Sequence, residues 1–341
     1  MDEKLTSLPT QTATWPSAAL APPITSIELP MKTVLKQIQI EMAGTYDQSV
    51  GAETQATEGN VALIDEVRLN LQGQIRRSFR GSALYELNRL VCRGANFQLD
   101  PTVGVASGKA FGLVLMFDMG LFDTLPEVKM GQNGRPQFED VQAKTYLDLR
   151  NWPGRNYLEI VWKPFASYAS GNTQANMSAT VRATPLELIG YTRIAMADQL
   201  HCELVLQDTV DLSVTKTDNF SNLLRDGVYS RGVLCRIGSL ATTPIVTATT
   251  PLTLVGFKAT YKAGNAITFK DKLPPLTFQR LNGWDRNNVQ PRAGTFFLDH
   301  SSDFSFGGGI DGNRLAVYQV VYDQAALANY TMQVMQLVSR K

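Results

Sequence analysis

Histidine is nearly absent from this sequence, with two in 341 residues, and cysteine is scarce, with three. His201 and His300 are too few and too far apart for a zinc site, and no Cys/His spacing suits one. Cys92, Cys202 and Cys235 cannot frame a disulfide scaffold in a chain of this size; they are expected to serve as small buried apolar residues. Charge of one sign is missing too. Lys and Arg number 32 against 31 Asp and Glu, which argues against a nucleic-acid binder running on phosphate neutralisation, and no sequence-specific nucleic-acid partner is expected. The longest apolar run, Phe111 to Phe117, is far short of the ~20 residues that span a bilayer. The opening Met1-Asp2-Glu3-Lys4 leads into no apolar signal segment, so synthesis in the cytoplasm is the expectation. On that expectation the three sequons, at Asn176, Asn219 and Asn329, are read as coincidences.

What is present is strand and turn. At 44% hydrophobic and 18% charged, the chain has enough apolar residues for one large or two medium cores. From Asp65, Val67, Leu69, Leu71 and Ile75 fall on one parity and Arg68, Asn70, Gln72, Gln74 and Arg76 on the other, the period of a half-buried strand. The period then changes. After Gly81, with Ser82 as N-cap, Leu84, Leu87 and Leu90 recur at helical spacing, and a Cys92-Arg93-Gly94 turn closes the helix. A looser copy starts near His201 and reaches Val233-Leu234-Cys235-Arg236. A second echo matches Ala143 to Asp148 with Ala293 to Asp299. Both pairs are separated by a similar length of chain, which suggests one unit used twice.

Residues 1–30, with Pro9, Pro16, Pro22, Pro23 and Pro30, read as an extended N-terminal arm that is neither helix nor central strand. The first unit then covers 31–183. The second covers 184–341, with Thr184 to Ala197 as its connector. Strands separated by Gly, Pro and Asn turns, with few short helices, predict an all-β chain of two tandem sandwiches. Surface loops are expected at 121–140 and 282–313.

No catalytic constellation stands out. Asp299-His300-Ser301 has the letters of a triad, but triad members converge from separate elements. The glycines from Gly307 to Gly312 fit a dinucleotide fingerprint by letter, yet the residues after them read as strand, not helix. No cofactor is expected. Asp299, Asp303 and Asp311 are weak calcium candidates, with a solvated loop as the plainer reading. Trp152, Trp162 and Trp284 are the aromatics that a carbohydrate-binding surface would use.

Two tandem β-sandwiches behind an extended arm, with the repeated strand, helix and Cys-Arg turn, resemble the double jelly-roll major capsid proteins of the tectivirus, corticovirus and adenovirus lineage. The resemblance runs from about Met31 to Lys341 and points to a lipid-containing icosahedral bacteriophage. It implies two eight-stranded jelly rolls with short helices in the loops, and a structural, non-enzymatic role in the virion. It further implies homotrimeric, pseudo-hexagonal capsomers that tile a shell. Neighbouring capsomers, minor capsid and vertex proteins and an internal lipid membrane would be the partners. Trp15, Arg76, Arg77, Arg340 and Lys341 are the residues expected to touch membrane or neighbour. The alternative is a β-sandwich receptor- or carbohydrate-binding protein such as a phage spike.

Overall fold

The computed structural model describes residues 2–47, 54–56, 59–91, 97–99, 108–119, 127–130, 136–139, 146–174, 176–196, 201–239, 252–262, 266–275, 277, 295–300 and 310–340. The chain divides into two units. The first comprises Met1–Leu121 and Thr145–Gln199, the second Phe122–Lys144 and Leu200–Lys341.

In the first unit, β4 (Val34–Tyr46) is central to one antiparallel sheet. On one flank lie β9 (Lys109–Asp118) and then β8 (Phe97–Leu99); on the other lies β15 (Met177–Ile189). β1 (Asp2–Leu5) and β2 (Gln11–Trp15) run end to end along the far side of β15, and β12 (Leu147–Asp148) pairs with the start of β4. The second sheet runs β3 (Thr25–Glu28), β13 (Asn156–Trp162), β6 (Ile64–Leu71), β7 (Gln74–Arg80). β5 (Thr54–Gln55) and β14 (Ala169–Ser170) form a short ladder of their own.

The two sheets close on each other through aromatic side chains. Trp15 meets Trp162 edge to face with ring centres 5.4 Å apart, and Phe79 meets Phe117 at 5.2 Å. Strict alternation drives the packing: Val67, Leu69 and Leu71 of β6 are fully buried, while Glu66, Arg68 and Asn70 stay on the outer face. The period changes at α1 (Gly81–Val91), as the sequence predicts. Ala83, Leu84 and Leu87 are its fully buried apolar residues, and Ser82, Tyr85, Glu86 and Asn88 are buried as well, so most of the helix is covered. Its first residue must be small, because a Cβ at Gly81 would lie 2.6 Å from the Ile64 carbonyl oxygen.

The second unit repeats the plan. One sheet runs β16 (His201–Asp211), β24 (Tyr330–Arg340), β18 (Tyr229–Ser239), β21 (Thr295–Asp299), with β22 (Ile310–Asp311) also on β18. The other runs β17 (Lys216–Asn222), β23 (Leu315–Gln324), β19 (Leu252–Tyr261), β20 (Ala266–Leu273). Val233, Cys235, Ile237, Phe257, Tyr318, Val320, Met332 and Val334 are among its core residues. A hairpin of β10 (Glu127–Met130) and β11 (Pro136–Glu139) also groups with this unit. Both units thus have the jelly-roll order, in which the first strand lies beside the last and the eight main strands divide between two sheets, alternating except at the central β6–β7 and β19–β20 pairs.

That order corrects three expectations. Residues 2–28 are extended, as predicted, but they are not an arm outside the sandwich: β1 and β2 supply the first strand of the first jelly roll and β3 the second. Each of these is the outermost strand on its side, where a proline costs no ladder bond. The boundary at residue 184 also moves, because β15 continues through Pro185 to Ile189. The Pro185 carbonyl accepts from Thr6 N, so its missing N–H points the same way, toward the interruption between β1 and β2. The duplication is real in topology, but the sequence echoes join the wrong strands. Asp148 ends β12 and Asp299 ends β21, which are not counterparts; the counterpart of β12 is β22. Cys235 sits mid-strand in β18, whereas the Cys92 turn follows α1 and lies outside the described residues.

Candidate assembly surfaces

The outward face of the β3–β13–β6–β7 sheet is polar and largely self-neutralised. Glu159 accepts from Arg68 Nε at 2.7 Å and from Asn70 Nδ2 at 2.7 Å, and Arg68 also lies 3.5 Å from Glu66. Ser78 donates to Glu66. At its margin, burial holds the Lys163 ammonium below its ordinary pKa, against the opposing pull of Asp65 at 3.9 Å. Such a face offers hydrogen-bonding and shape rather than a field of one sign.

A second polar cluster pins the segment that leaves β15. Asp148, fully buried, takes both Nη2 and Nε of Arg150, at 2.7 and 2.8 Å, and the backbone N of Ile194 at 2.9 Å. Arg150 Nη1 donates to the Tyr191 carbonyl, and Asn151 Nδ2 to that of Ile194. Burial alone would push the Asp148 carboxyl up. The hydrogen bonds from Arg150, Ile194 N and Arg150 N, with the guanidinium charge, outweigh it and hold the pKa below the ordinary value. The same carboxylate also caps the one-turn 3-10 helix Leu149–Asn151 through Arg150 N. In the second unit Asp311 caps Gly312–Arg314 through Asn313 N, directly after the counterpart strand.

Apolar side chains are left exposed at several outer strands and turns. Leu5 lies on β1, Leu20 and Ile24 in the turn between β2 and β3, Leu206 on β16 and Phe220 on β17. Phe220 is half exposed (50%) on the outermost strand of its sheet, the type of position at which a neighbour gains most from burial.

The residues singled out from sequence fare unequally. Trp15 is a core residue, with 0% exposure, and its Nε1 donates to the Lys163 carbonyl at 2.9 Å. Arg77 is buried as well, with Nη1 on the Met119 carbonyl at 3.0 Å. Neither is placed to touch a membrane or neighbour, because both side chains point inward from their strands. Arg76 remains half-buried at the surface, its guanidinium 5.0 Å from the centre of the Trp152 ring. Arg340 ends β24 with its backbone opposite His201, and Lys341 lies outside the described residues. The calcium trio is not assembled among the described residues: Asp303 lies outside them, and Asp311 is engaged by Asn313 and Arg314. Among the described residues no group of three His, Cys, Asp or Glu side chains is close enough to hold a metal ion.

Of the triad letters, Ser301 lies outside the described residues, and His300 is engaged elsewhere. His300 is buried with Nε2 2.7 Å from the Tyr318 hydroxyl, which donates to Ser230 Oγ at 2.6 Å. After Asp311 come one 3-10 turn and strand β23, with no helix to receive a pyrophosphate. Trp152 and Trp162 are 5% and 4% exposed and so present no stacking face to a sugar; Trp284 lies outside the described residues. No described helix is long and apolar enough to cross a membrane.

No family model matches the chain, and no curated protein matches it in sequence. Solved structures do match in fold. The STIV MCP aligns over 100% of this chain and 97% of its own, at 16% identity and a TM-score of 0.65. The major capsid protein P2 from bacteriophage PM2 aligns over 97% and 98%, at 12% identity and 0.56. A quasi-atomic model of the PBCV-1 virus capsid aligns over 99% and 93%, at 10% identity and 0.60. The fold of this chain is therefore the double jelly roll seen in those capsid proteins.

Proposed function

We propose that this chain is a major capsid protein and acts by assembly rather than by catalysis. The observation that carries the reading is the likeness to capsid proteins along the whole chain, with no large region of either partner left over. Threefold association of a chain with two similar jelly rolls presents six similar units, so homotrimers would form pseudo-hexagonal capsomers able to tile an icosahedral shell. In that role the chain resides in the virion of an icosahedral virus, a bacteriophage on the sequence reading, after synthesis in the host cytoplasm. Its partners are its own copies, neighbouring capsomers, minor capsid and vertex proteins, and an internal membrane. Exposed apolar groups such as Leu206 and Phe220 and the polar face around Glu159 are available for contacts between copies. Burial of Trp152 and Trp162 withdraws two of the three aromatics behind the carbohydrate-binding alternative.

The test is the solution mass of the purified chain by light scattering, with negative-stain images of the same peak. Trimers with a hexagonal outline are expected. A stable monomer at all concentrations overturns the capsomer reading. Flotation with anionic and neutral vesicles tests the membrane separately: co-migration supports contact with lipid, and its absence removes the membrane from the proposal while leaving the shell.

A further inference from the structure

Three sequons are present, and the structure sorts them. Asn219-Phe220-Ser221 is closed. It lies within β17, Asn219 Oδ1 accepts from Phe220 N at 3.1 Å, and Asn219 Nδ2 lies 3.5 Å from Gln324 Oε1. The Ser221 hydroxyl is buried on Asp208 and Tyr322. Asn176-Met177-Ser178 and Asn329-Tyr330-Thr331 are open. Both asparagines are exposed, and no described residue takes a hydrogen bond from either carboxamide. Ser178 is exposed and Thr331 half-buried.

The two open sites occupy the same place in the fold. Asn176 immediately precedes β15, the last strand of the first jelly roll, and Asn329 immediately precedes β24, the last strand of the second. Each asparagine adopts a positive φ, 57° and 65°, which turns the chain just ahead of the strand. Turn chemistry accounts for an asparagine there. It does not require a hydroxyl residue two positions later at both turns.

We infer that Asn176 and Asn329 are a matched pair of N-glycan acceptors, one on the strand-entry turn of each jelly roll. The donor class is an oligosaccharide activated as a lipid-linked diphosphate. Nδ2 attacks the anomeric carbon, the new C–N bond forms as the C–O bond to phosphate breaks, the diphosphate leaves with the electron pair, and Nδ2 gives up a proton to the transferase. The inference does not rest on the capsid reading, and it replaces the sequence-based reading of these two sequons as coincidences: it needs two accessible turns, a host that supplies the donor, and exposure of the chain to the transferase on the extracytoplasmic side of a membrane.

The experiment is intact-mass measurement and glycopeptide mapping of the chain purified from its native source. Sugar is expected on Asn176 and Asn329 and not on Asn219. Ser178→Ala should remove one glycan increment and Thr331→Ala the other, leaving both turn asparagines, and so the fold, intact. Asn176→Asp and Asn329→Asp, which keep the preference for positive φ, should do the same. Unmodified asparagine at either turn of the native material, or sugar on Asn219, overturns the inference.

Discussion

The carboxamide of Asn88 in α1 bonds both backbone groups of Met116 in β9: Nδ2 donates to the Met116 carbonyl at 2.8 Å, and Met116 N donates to Oδ1 at 2.7 Å. β9 has β4 on one side, and on the other β8 reaches only Gly112 to Val114. One side chain therefore supplies what the next residues of a strand would have supplied. Gln336 does the same for Leu224 in the second unit, at 2.7 and 3.0 Å.

Asn88→Leu should destabilise the first unit by about 1–3 kcal/mol, since two bonds are lost and the Met116 backbone groups lose their partner at a half-buried position. Asn88→Asp should cost at least as much, because a carboxylate meets the carbonyl with repulsion. Three of the four tryptophans, Trp15, Trp152 and Trp162, belong to this unit, so the fluorescence midpoint in urea reads it.

Asp148 sets an acid limit for the same unit. Its folded pKa lies below that of the unfolded carboxylate, so the unfolded chain takes up the proton first as pH falls. The stabilisation is complete above the unfolded value, ~4, and is lost as the pH falls from there through the folded value. Asp148→Asn should cost about 2–4 kcal/mol at neutral pH, by breaking a largely buried pair from one side. It should also flatten the acid limb of a stability-against-pH curve. An unchanged limb would assign acid sensitivity elsewhere.

Trp15 separates core from surface directly. Trp15→Ala should lower first-unit stability by about 3–5 kcal/mol, because the cavity opens among Trp162 and Phe165. Trp15→Phe should cost less, chiefly the bond to Lys163. Vesicle flotation of the folded Trp15→Phe protein should match that of the parent chain.

Alternation along β6, the switch of period at α1 and the alternating strands of both halves are legible in sequence, because side-chain parity is a local property. The fate of residues 2–28 is not. Pro9 and Pro22 exclude a central strand but not an outermost one, and which strand is outermost depends on pairings more than a hundred residues away, such as Trp15 with Met177. Ala13 and Trp15 do share the buried parity, a signal too short to weigh against five prolines. Arg77 shares the parity of the buried Phe79, so its inward turn was present in the pattern, but charge argued against it. Asp148 gave no signal, since its third partner, Ile194, is brought in by the fold alone.

Cys235 should report on the second unit. Burial pushes its thiol far above the ordinary range, so the reactive thiolate is withheld at neutral pH. In a Cys92→Ser, Cys202→Ser background, a thiol reagent should leave the native chain unlabelled. It should label it in step with urea unfolding of the core around Phe257 and Val334. Rapid labelling of the native protein would mean that β18 opens locally.

Each jelly roll leaves a glycine under a phenylalanine of the adjoining strand. A Cβ on Gly44 in β4 would lie 2.6 Å from Phe111 Cζ, and one on Gly232 in β18 would lie 2.5 Å from Phe297 Cζ. Alanine at either should cost about 1–3 kcal/mol by overpacking. A ring can move or be trimmed, but each glycine also faces a carbonyl oxygen that cannot: Ser178 O at 2.6 Å from the Gly44 position and Leu298 O at 2.6 Å from the Gly232 position. A double-mutant cycle of Gly44→Ala with Phe111→Leu should therefore show only partial relief. Full relief would mean that the ring alone demands the glycine. No relief would place the whole cost on the β15 backbone, and the sheet spacing rather than the core would set the residue.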